Sequence, residues 1–168
     1  MCIRDSSGSV YINDLAISSL DIRNYRANLG ISFLNQTPFE GTLRENITLG
    51  DTSIGDDEIY KIFKIVGLTE FLHLQSKGLN SVIKPEGKQI AYTINKKIIL
   101  ARAIAKKPKI MILEEPIDQL KPAEVSRIVD YLTAPERPWG LVVVSSYEIW
   151  KSKCNRRIVI EKGQIKEL

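Results

Sequence analysis

The sequence predicts an α/β protein with a mainly parallel sheet at its core, and two observations carry that prediction. Residues 109–113 form a short apolar run after Pro108, and Glu114 and Glu115 follow it directly. Such a run is typical of a buried parallel strand, and ligands bind at the C-terminal edge of open α/β sheets. Upstream, apolar residues recur at helical spacing until Pro108 ends the helix. These residues are Ile94, Ile98, Ala101 and Ala105.

The other elements of the first two thirds follow from the same patterns. We expect strands near 9–12 and 29–34, then an insertion of helices from about 42 to 106. One helix of the insertion is indicated by apolar residues at i, i+3, i+4, i+7 spacing, with two aspartates near its positive end. The apolar residues are Ile59, Ile62, Phe63 and Val66, and the aspartates are Asp56 and Asp57.

The last third is predicted as a helix, a strand and a hairpin. Lys121-Pro122 opens the helix, because proline suits the first turn. Its apolar face consists of Val125, Ile128, Val129 and Leu132. After a loop over 134–140, residues 141–144 are expected to form another buried strand, and residues 157–168 to form a hairpin around Lys162-Gly163.

Composition narrows the class of protein. The 168 residues are 43% hydrophobic and 26% charged, as in a globular chain with one core, and no apolar run approaches the roughly 20 residues of a membrane span. The net charge of +4 comes from scattered lysines, so no nucleic-acid partner is expected. Cys2 and Cys154 form no disulfide framework, which indicates a reducing cytoplasmic setting. The single histidine, His73, is expected to be a partly exposed helical residue.

Several stretches resemble one protein family, in the order that the family has them. "LARAIAKKPKIMILEEP" resembles the region of ATP-binding cassette (ABC) ATPases from the signature helix through Walker B. "SGSVYINDLAISSLDIRNYRANLGISFLNQTPFEGTLRENITLG" is similar to the stretch from the antenna strands through the Q-loop, with Gln36 at the Q-loop position, and its last ten residues resemble exporter-type members. "LVVVSSYEIW" and "RRIVIEKGQIKEL" resemble the H-loop strand and the closing hairpin. Together they cover almost all of residues 7–168.

The resemblance implies a partial P-loop NTPase-like ABC ATPase fold, with a helical subdomain at about 42–106 and antenna strands. It implies ATP and Mg²⁺ as cofactors in the intact parent, at the cytoplasmic face of the plasma membrane. The implied partners are a second ABC ATPase domain, in a homodimer or heterodimer, and a transmembrane domain reached through the groove beside Gln36. Glu115 corresponds to the general base, while Glu114 and Gln36 correspond to the Mg²⁺ ligands.

The signature segment departs from the family's pattern. Leu-Ser-Gly-Gly-Gln falls on residues 90–94, so nucleotide-binding positions of the family are held by Ala91, Tyr92 and Thr93. Ala91 has no hydroxyl, and the side chains of Tyr92 and Thr93 obstruct the close backbone approach to phosphate that glycine permits at a helix N-terminus.

Other motif positions depart as well. Glu114 stands where the family has aspartate, and Mg²⁺ requires near-octahedral geometry at about 2.0–2.1 Å. The catalytic H-loop histidine position falls on Ser146, or on Ser145 if the register slips by one, and serine cannot carry a positive charge. At the D-loop, residues 118–121 keep only the leucine of Ser-Ala-Leu-Asp.

The phosphate-cradling pattern Gly-x-x-x-x-Gly-Lys-Ser/Thr occurs nowhere in the 168 residues. We therefore expect residues 1–6 to be a non-native leader, and residues 7–168 to be a C-terminal fragment of an exporter's nucleotide-binding domain with no ATPase activity of its own. The alternative is a non-catalytic degenerate cassette that acts as a structural or regulatory partner of an active ABC subunit. A third hypothesis, a soluble cassette protein of repair or translation, is disfavoured by "GTLRENITLG".

Overall fold

The computed structural model describes residues 8–84 and 89–167. The strands are β1 (Tyr11–Ile12), β2 (Leu15–Ala16), β3 (Leu29–Ser32), β4 (Gly41–Thr42), β5 (Val82–Ile83), β6 (Ile110–Glu114), β7 (Gly140–Val144), β8 (Ile158–Glu161) and β9 (Gln164–Glu167). The α-helices are α1 (Ile22–Ala27), α2 (Leu43–Thr48), α3 (Asp56–Val66), α4 (Thr69–His73), α5 (Tyr92–Ala105) and α6 (Pro122–Leu132). The leader predicted at residues 1–6 lies outside the described residues.

The central sheet has three parallel strands in the order β3-β6-β7. Its register places Ile31 beside Ile112, and Ile112 beside Val142. The segment from α2 to α5 connects β3 with β6, and α6 connects β6 with β7. Since the strands are parallel, all three end at the same edge, and the predicted α/β fold with a parallel sheet core is confirmed.

The helices cover one face of this sheet. Met111 and Leu113 are fully buried on that face. Helix α5 approaches β3 so closely that a Cβ on Gly30 would lie 2.6 Å from Pro108 Cγ and 2.9 Å from the carbonyl oxygen of Ala103. Only glycine at this position allows the helix and the strand to pack at this distance.

The opposite face of the sheet is less covered than the sequence indicated. Residues 141–144 and Ile112 were predicted to be buried, and that part of the prediction is wrong. Val142 and Val144 are 52% and 61% exposed, and Ile112 is only half-buried. An apolar run fits a strand covered on both faces, whereas the described helices pack against one face.

The helices of the insertion pack around α5. The predicted apolar face of α3 is buried, and α5 contacts α2, α3 and β3. A capping box opens α2, in which the Thr42 side chain accepts from the backbone N–H of Glu45, and the Glu45 carboxylate accepts from the backbone N–H of Thr42. These contacts fix the segment that follows β3 against the helix that precedes β6.

A buried ion pair joins three of the helices. Lys97 of α5 donates to Glu124 of α6 at 2.6 Å, and also to the carbonyl oxygen of Gly67 at the end of α3 at 3.3 Å. Burial acts to raise the pKa of Glu124, but the hydrogen bonds from Lys97 and Lys121 outweigh it, so the pKa is lowered. The ammonium of Lys97 is therefore satisfied.

Two hairpins complete the fold. Asn13 and Asp14 adopt positive φ between β1 and β2, and Lys162 and Gly163 do so between β8 and β9, at the turn the sequence predicted. His73, at the end of α4, is exposed. No helix among the described residues combines the length and apolar character needed to cross a bilayer.

Candidate functional site

The candidate site lies at the C-terminal edge of the central sheet. Three segments meet there, because each one follows a parallel strand: residues 33–36 follow β3, residues 115–118 follow β6, and residues 145–147 follow β7. The N-terminal end of α5 joins them through a hydrogen bond from Tyr92. Such an edge is where ligands bind in α/β proteins.

Glu114 is the last residue of β6. Its Oε2 accepts a hydrogen bond from the backbone N–H of Leu34 at 3.0 Å, and the side chain is half-buried. The register explains this contact, since Leu113 lies beside Ser32 and the chain continues from there into the loop that carries Leu34. The contact ties the carboxylate to the segment after β3.

Glu115 is held by two hydrogen bonds from the segment after β7. Its Oε2 accepts from the Ser145 hydroxyl at 2.7 Å, and its Oε1 accepts from the backbone N–H of Ser146 at 2.8 Å. Its own N–H donates to the carbonyl oxygen of Val144 at 2.9 Å. These bonds hold Glu115 at a φ of 42°, a left-handed conformation that is costly for a residue with a long side chain. Both carboxylate oxygens are therefore engaged.

Gln36 is engaged within its own loop. Its Oε1 accepts from the backbone N–H of Phe33 at 2.9 Å, and its backbone N–H donates to the carbonyl oxygen of Phe33 at 3.2 Å. The predicted metal ligands Glu114 and Gln36 thus occupy the same edge of the sheet, where Glu114 Oε2 and Gln36 Oε1 accept from different backbone N–H groups.

The three residues predicted at the signature positions lie at the start of α5. Ala91 is the N-cap and makes no side-chain capping bond, Tyr92 is the first helical residue, and Thr93 is half-buried. Tyr92 is 40% exposed. Its hydroxyl donates to Asp118 Oδ2 at 3.1 Å, and partial burial together with this bond raises the pKa of the Tyr92 hydroxyl. The ring therefore leans over the loop that follows β6.

Asp118 accepts a hydrogen bond from a second tyrosine. The hydroxyl of Tyr147 donates to Asp118 Oδ1 at 3.2 Å. One carboxylate thus joins the N-terminus of α5 to the segment after β7. The sequence predicted Asp118 as part of a D-loop that departs from the family's pattern. It did not indicate Tyr147, because a tyrosine after a strand belongs to no motif with a recognisable spacing.

Lys96 is a second residue of this edge that sequence reasoning missed. It is 3% exposed, and its Nζ has no hydrogen-bond partner among the described residues. The Nζ lies 5.9 Å from the centre of the Tyr92 ring. Burial lowers the pKa of Lys96, while the charges of Asp118, Glu114 and Glu115 act in the opposite direction. Its i+4 spacing from Tyr92 was the signal that could have located it beside the signature positions.

With Lys96 in place, the donor set does not fit a Mg²⁺ ion. Mg²⁺ takes hard oxygen ligands in a near-octahedral sphere, and of the predicted ligands Glu114 Oε2 and Gln36 Oε1 each already accept a hydrogen bond from a backbone N–H. Within residues 8–84 and 89–167, no three Asp, Glu, His or Cys side chains converge as a metal site. The buried ammonium of Lys96 adds a positive charge that a divalent ion would have to approach.

Comparison with known proteins gives a consistent family. Residues 2–118 match the family model described as ABC transporter. The chain is 26% identical over 162 residues to the mycobactin import ATP-binding/permease protein IrtB of Mycolicibacterium thermoresistibile, covering 96% of this chain and 28% of that protein. It is 25% identical over 163 residues to the ABC multidrug transporter MDR2 of Trichophyton interdigitale, covering 96% of this chain and 12% of that protein.

The fold has a solved counterpart. A bacterial Atm1-family ABC exporter, whose structure is described with ATP bound, superposes with a TM-score of 0.83 at 18% identity, over 94% of this chain and 28% of that one. The chain thus spans between about an eighth and somewhat more than a quarter of the length of these proteins.

Proposed function

Since the chain belongs to the ABC transporter family, as an exporter-type nucleotide-binding domain, we propose that it supplies the sheet edge of such a domain in a transporter that couples ATP binding to transport. The observation that carries the proposal is the meeting of four family motif positions at one edge. Gln36, Glu115, Ser146 and Tyr92 lie on segments that hydrogen bonds connect there, the segment of Gln36 through the bond from Leu34 N–H to Glu114.

The proposed partners follow from the same membership. A second ABC ATPase domain pairs with this one, and a membrane domain docks in the groove beside Gln36. This arrangement places the chain at the cytoplasmic face of the membrane. ATP is the proposed nucleotide of the assembled domain.

A second candidate function, a cassette that assembles but hydrolyses ATP poorly, is favoured by the hydrogen bonding of Glu115. A general base acts through a carboxylate oxygen within reach of the attacking water, and in Glu115 the segment of Ser145 and Ser146 competes for both oxygens by donating to each of them. At the signature, the Tyr92 ring occupies the helix end where the family presents glycine backbone. In this function the chain regulates or supports an active cassette.

A chimeric exporter tests both candidates. Residues 8–168 replace the corresponding segment of the bacterial Atm1-family exporter, and the unmodified exporter serves as the control. We expect ATP-dependent association of the two cassettes to persist and turnover to fall by roughly a hundredfold, since two or more hydrogen bonds to charged groups are lost or diverted.

The two outcomes separate the candidates. A chimera that no longer associates with ATP contradicts the role in a nucleotide-binding domain. Turnover close to the control contradicts the poorly hydrolysing cassette alone. Replacing Ala91, Tyr92 and Thr93 with Ser-Gly-Gly in the chimera is expected to strengthen ATP-dependent association, because the helix N–H groups become accessible to phosphate.

A further inference from the structure

We infer that the ammonium of Lys96 is a tethered cation for the carboxylates at the sheet edge, and that this edge excludes a divalent metal ion while Lys96 is present. The inference rests on the proposed function only in taking this edge as the nucleotide site. Three observations support it: the burial of the ammonium, the acidic residues around it, and the engaged state of the metal-ligand candidates.

The first observation is a buried and unsatisfied charge. Lys96 is 3% exposed, and its Nζ has no hydrogen-bond partner within the described part of the chain. Burying an unpaired ammonium is costly, so its position requires compensation from nearby negative charge or from a ring face. The Tyr92 ring supplies part of it at 5.9 Å.

The second observation is the composition of the surroundings. The Tyr92 ring that the ammonium faces is bonded through its hydroxyl to Asp118, and the negative charges of Asp118, Glu114 and Glu115 act on Lys96. They come from the end of β6 and the loop after it, across from α5. Asp118 also accepts hydrogen bonds from the hydroxyls of Tyr92 and Tyr147, which hold its carboxylate in place. The ammonium thus offsets charge that a metal ion would otherwise neutralise.

The third observation concerns the residues that could hold a metal. Glu114 accepts from Leu34 N–H, and the Oε1 of Gln36 accepts from Phe33 N–H. A divalent ion would have to share these oxygens with the backbone N–H groups and also lie close to the buried ammonium of Lys96. Near a protein surface, the Coulomb repulsion between a divalent ion and an ammonium a few ångströms away is large enough to shift metal affinity by roughly tenfold or more.

The test is a Mn²⁺ titration of the 168-residue chain, with Mn²⁺ as the divalent probe and electron paramagnetic resonance to count the bound ion. We expect no saturable binding below millimolar Mn²⁺ in the wild type. Lys96→Gln is expected to bind one Mn²⁺ at least about tenfold more tightly. Lys61→Gln removes a charge from the exposed surface of α3 and is the matched control, with no expected change.

A second measurement locates the bound Mn²⁺ by nuclear magnetic resonance. Bound Mn²⁺ in Lys96→Gln should broaden the amide resonances of Leu34 and Ser146, and adding Glu114→Gln should abolish the binding. Submillimolar Mn²⁺ binding by the wild type at this edge overturns the inference. This outcome is measured on the wild-type chain alone, so it does not depend on whether a variant folds. Equal affinities of wild type and Lys96→Gln overturn it as well, as does tightened binding that survives Glu114→Gln. None of these outcomes bears on ATP-dependent association in the chimera, so the two proposals fail separately.

Discussion

Two adjacent lysines on α5 lie in different surroundings, one against the helices α3 and α6 and the other beside the edge of the sheet. Lys97 is buried against α3 and α6, and its ammonium bonds both Glu124 and the carbonyl oxygen of Gly67. Lys96 is buried as well, but it turns toward the sheet edge, where its ammonium has no hydrogen bond among the described residues. The charge is the same, and only one of the two is satisfied.

The difference separates packing from chemistry. A buried ion pair with complete hydrogen bonding holds elements in register, whereas an unsatisfied buried charge is retained at a cost in stability and is typical of functional sites. The side of α5 that carries Lys97 is therefore the structural side. The side that carries Lys96 belongs to the candidate site, and substitutions on the two sides should act in opposite directions.

The largest effect is expected on the packed side of the sheet. Met111→Asp places an unpaired carboxylate on the fully buried face of β6 and should cost more than about 4 kcal/mol, enough to unfold most domains. Ile112→Asp, one residue along, should cost much less because Ile112 is half-buried on the open face. Urea unfolding of both variants checks this, and equal losses would mean that both faces of the sheet are covered.

A smaller loss is expected when the structural ion pair is broken. Lys97→Met leaves Glu124 partly buried without its partner, which should lower the free energy of unfolding by about 3 kcal/mol. The double variant Lys97→Met with Glu124→Leu is the control and should recover most of the loss, because no unpaired charge remains. If the double variant is as unstable as the single one, the carbonyl oxygen of Gly67 rather than Glu124 is the partner that matters.

The sequence could predict much of this fold because the signals were local. The helical spacing in α3, the proline at the start of α6 and the turn at Lys162-Gly163 each identify their element from neighbouring residues. The exposure of Val142 and Val144 could not be predicted this way, since an apolar run does not say how many faces are covered.

The sequence could predict that these segments meet, but not which hydrogen bonds join them. Residues after parallel strands must meet at one edge, which placed Glu114, Glu115 and Ser146 near each other. The bonds from Ser145 and Ser146 to Glu115, and from two tyrosines to Asp118, depend on side-chain directions across segments about 26 to 31 residues apart in sequence. The sequence likewise does not distinguish Lys96 from Lys97. Only the neighbouring helix decides which one finds a carboxylate within bonding distance.

Lys96→Met is expected to change the free energy of unfolding least. It also tests the contrast between the two lysines most directly. The side chain keeps its approximate shape and loses the buried ammonium, so at neutral pH the variant should be more stable than the wild type by about 1 kcal/mol or more. The expected gain in stability follows from the pKa of Lys96. Burial lowers this pKa more than the charges of Asp118, Glu114 and Glu115 raise it, so the folded state disfavours the charged form.

The pH dependence of that gain distinguishes it from improved packing. Below the folded-state pKa of Lys96, both the folded and the unfolded wild type carry the proton, so the advantage of Lys96→Met is constant. Between the lowered pKa of the folded state and the ordinary value of 10.5, the unfolded state binds more protons, so wild-type stability rises with pH relative to the variant. The gap in urea midpoint should therefore narrow as the pH rises toward 10.5. A gap that stays constant across that range would show that the variant gains its stability from better packing of the methionine side chain, and that the ammonium of Lys96 costs the folded wild type nothing.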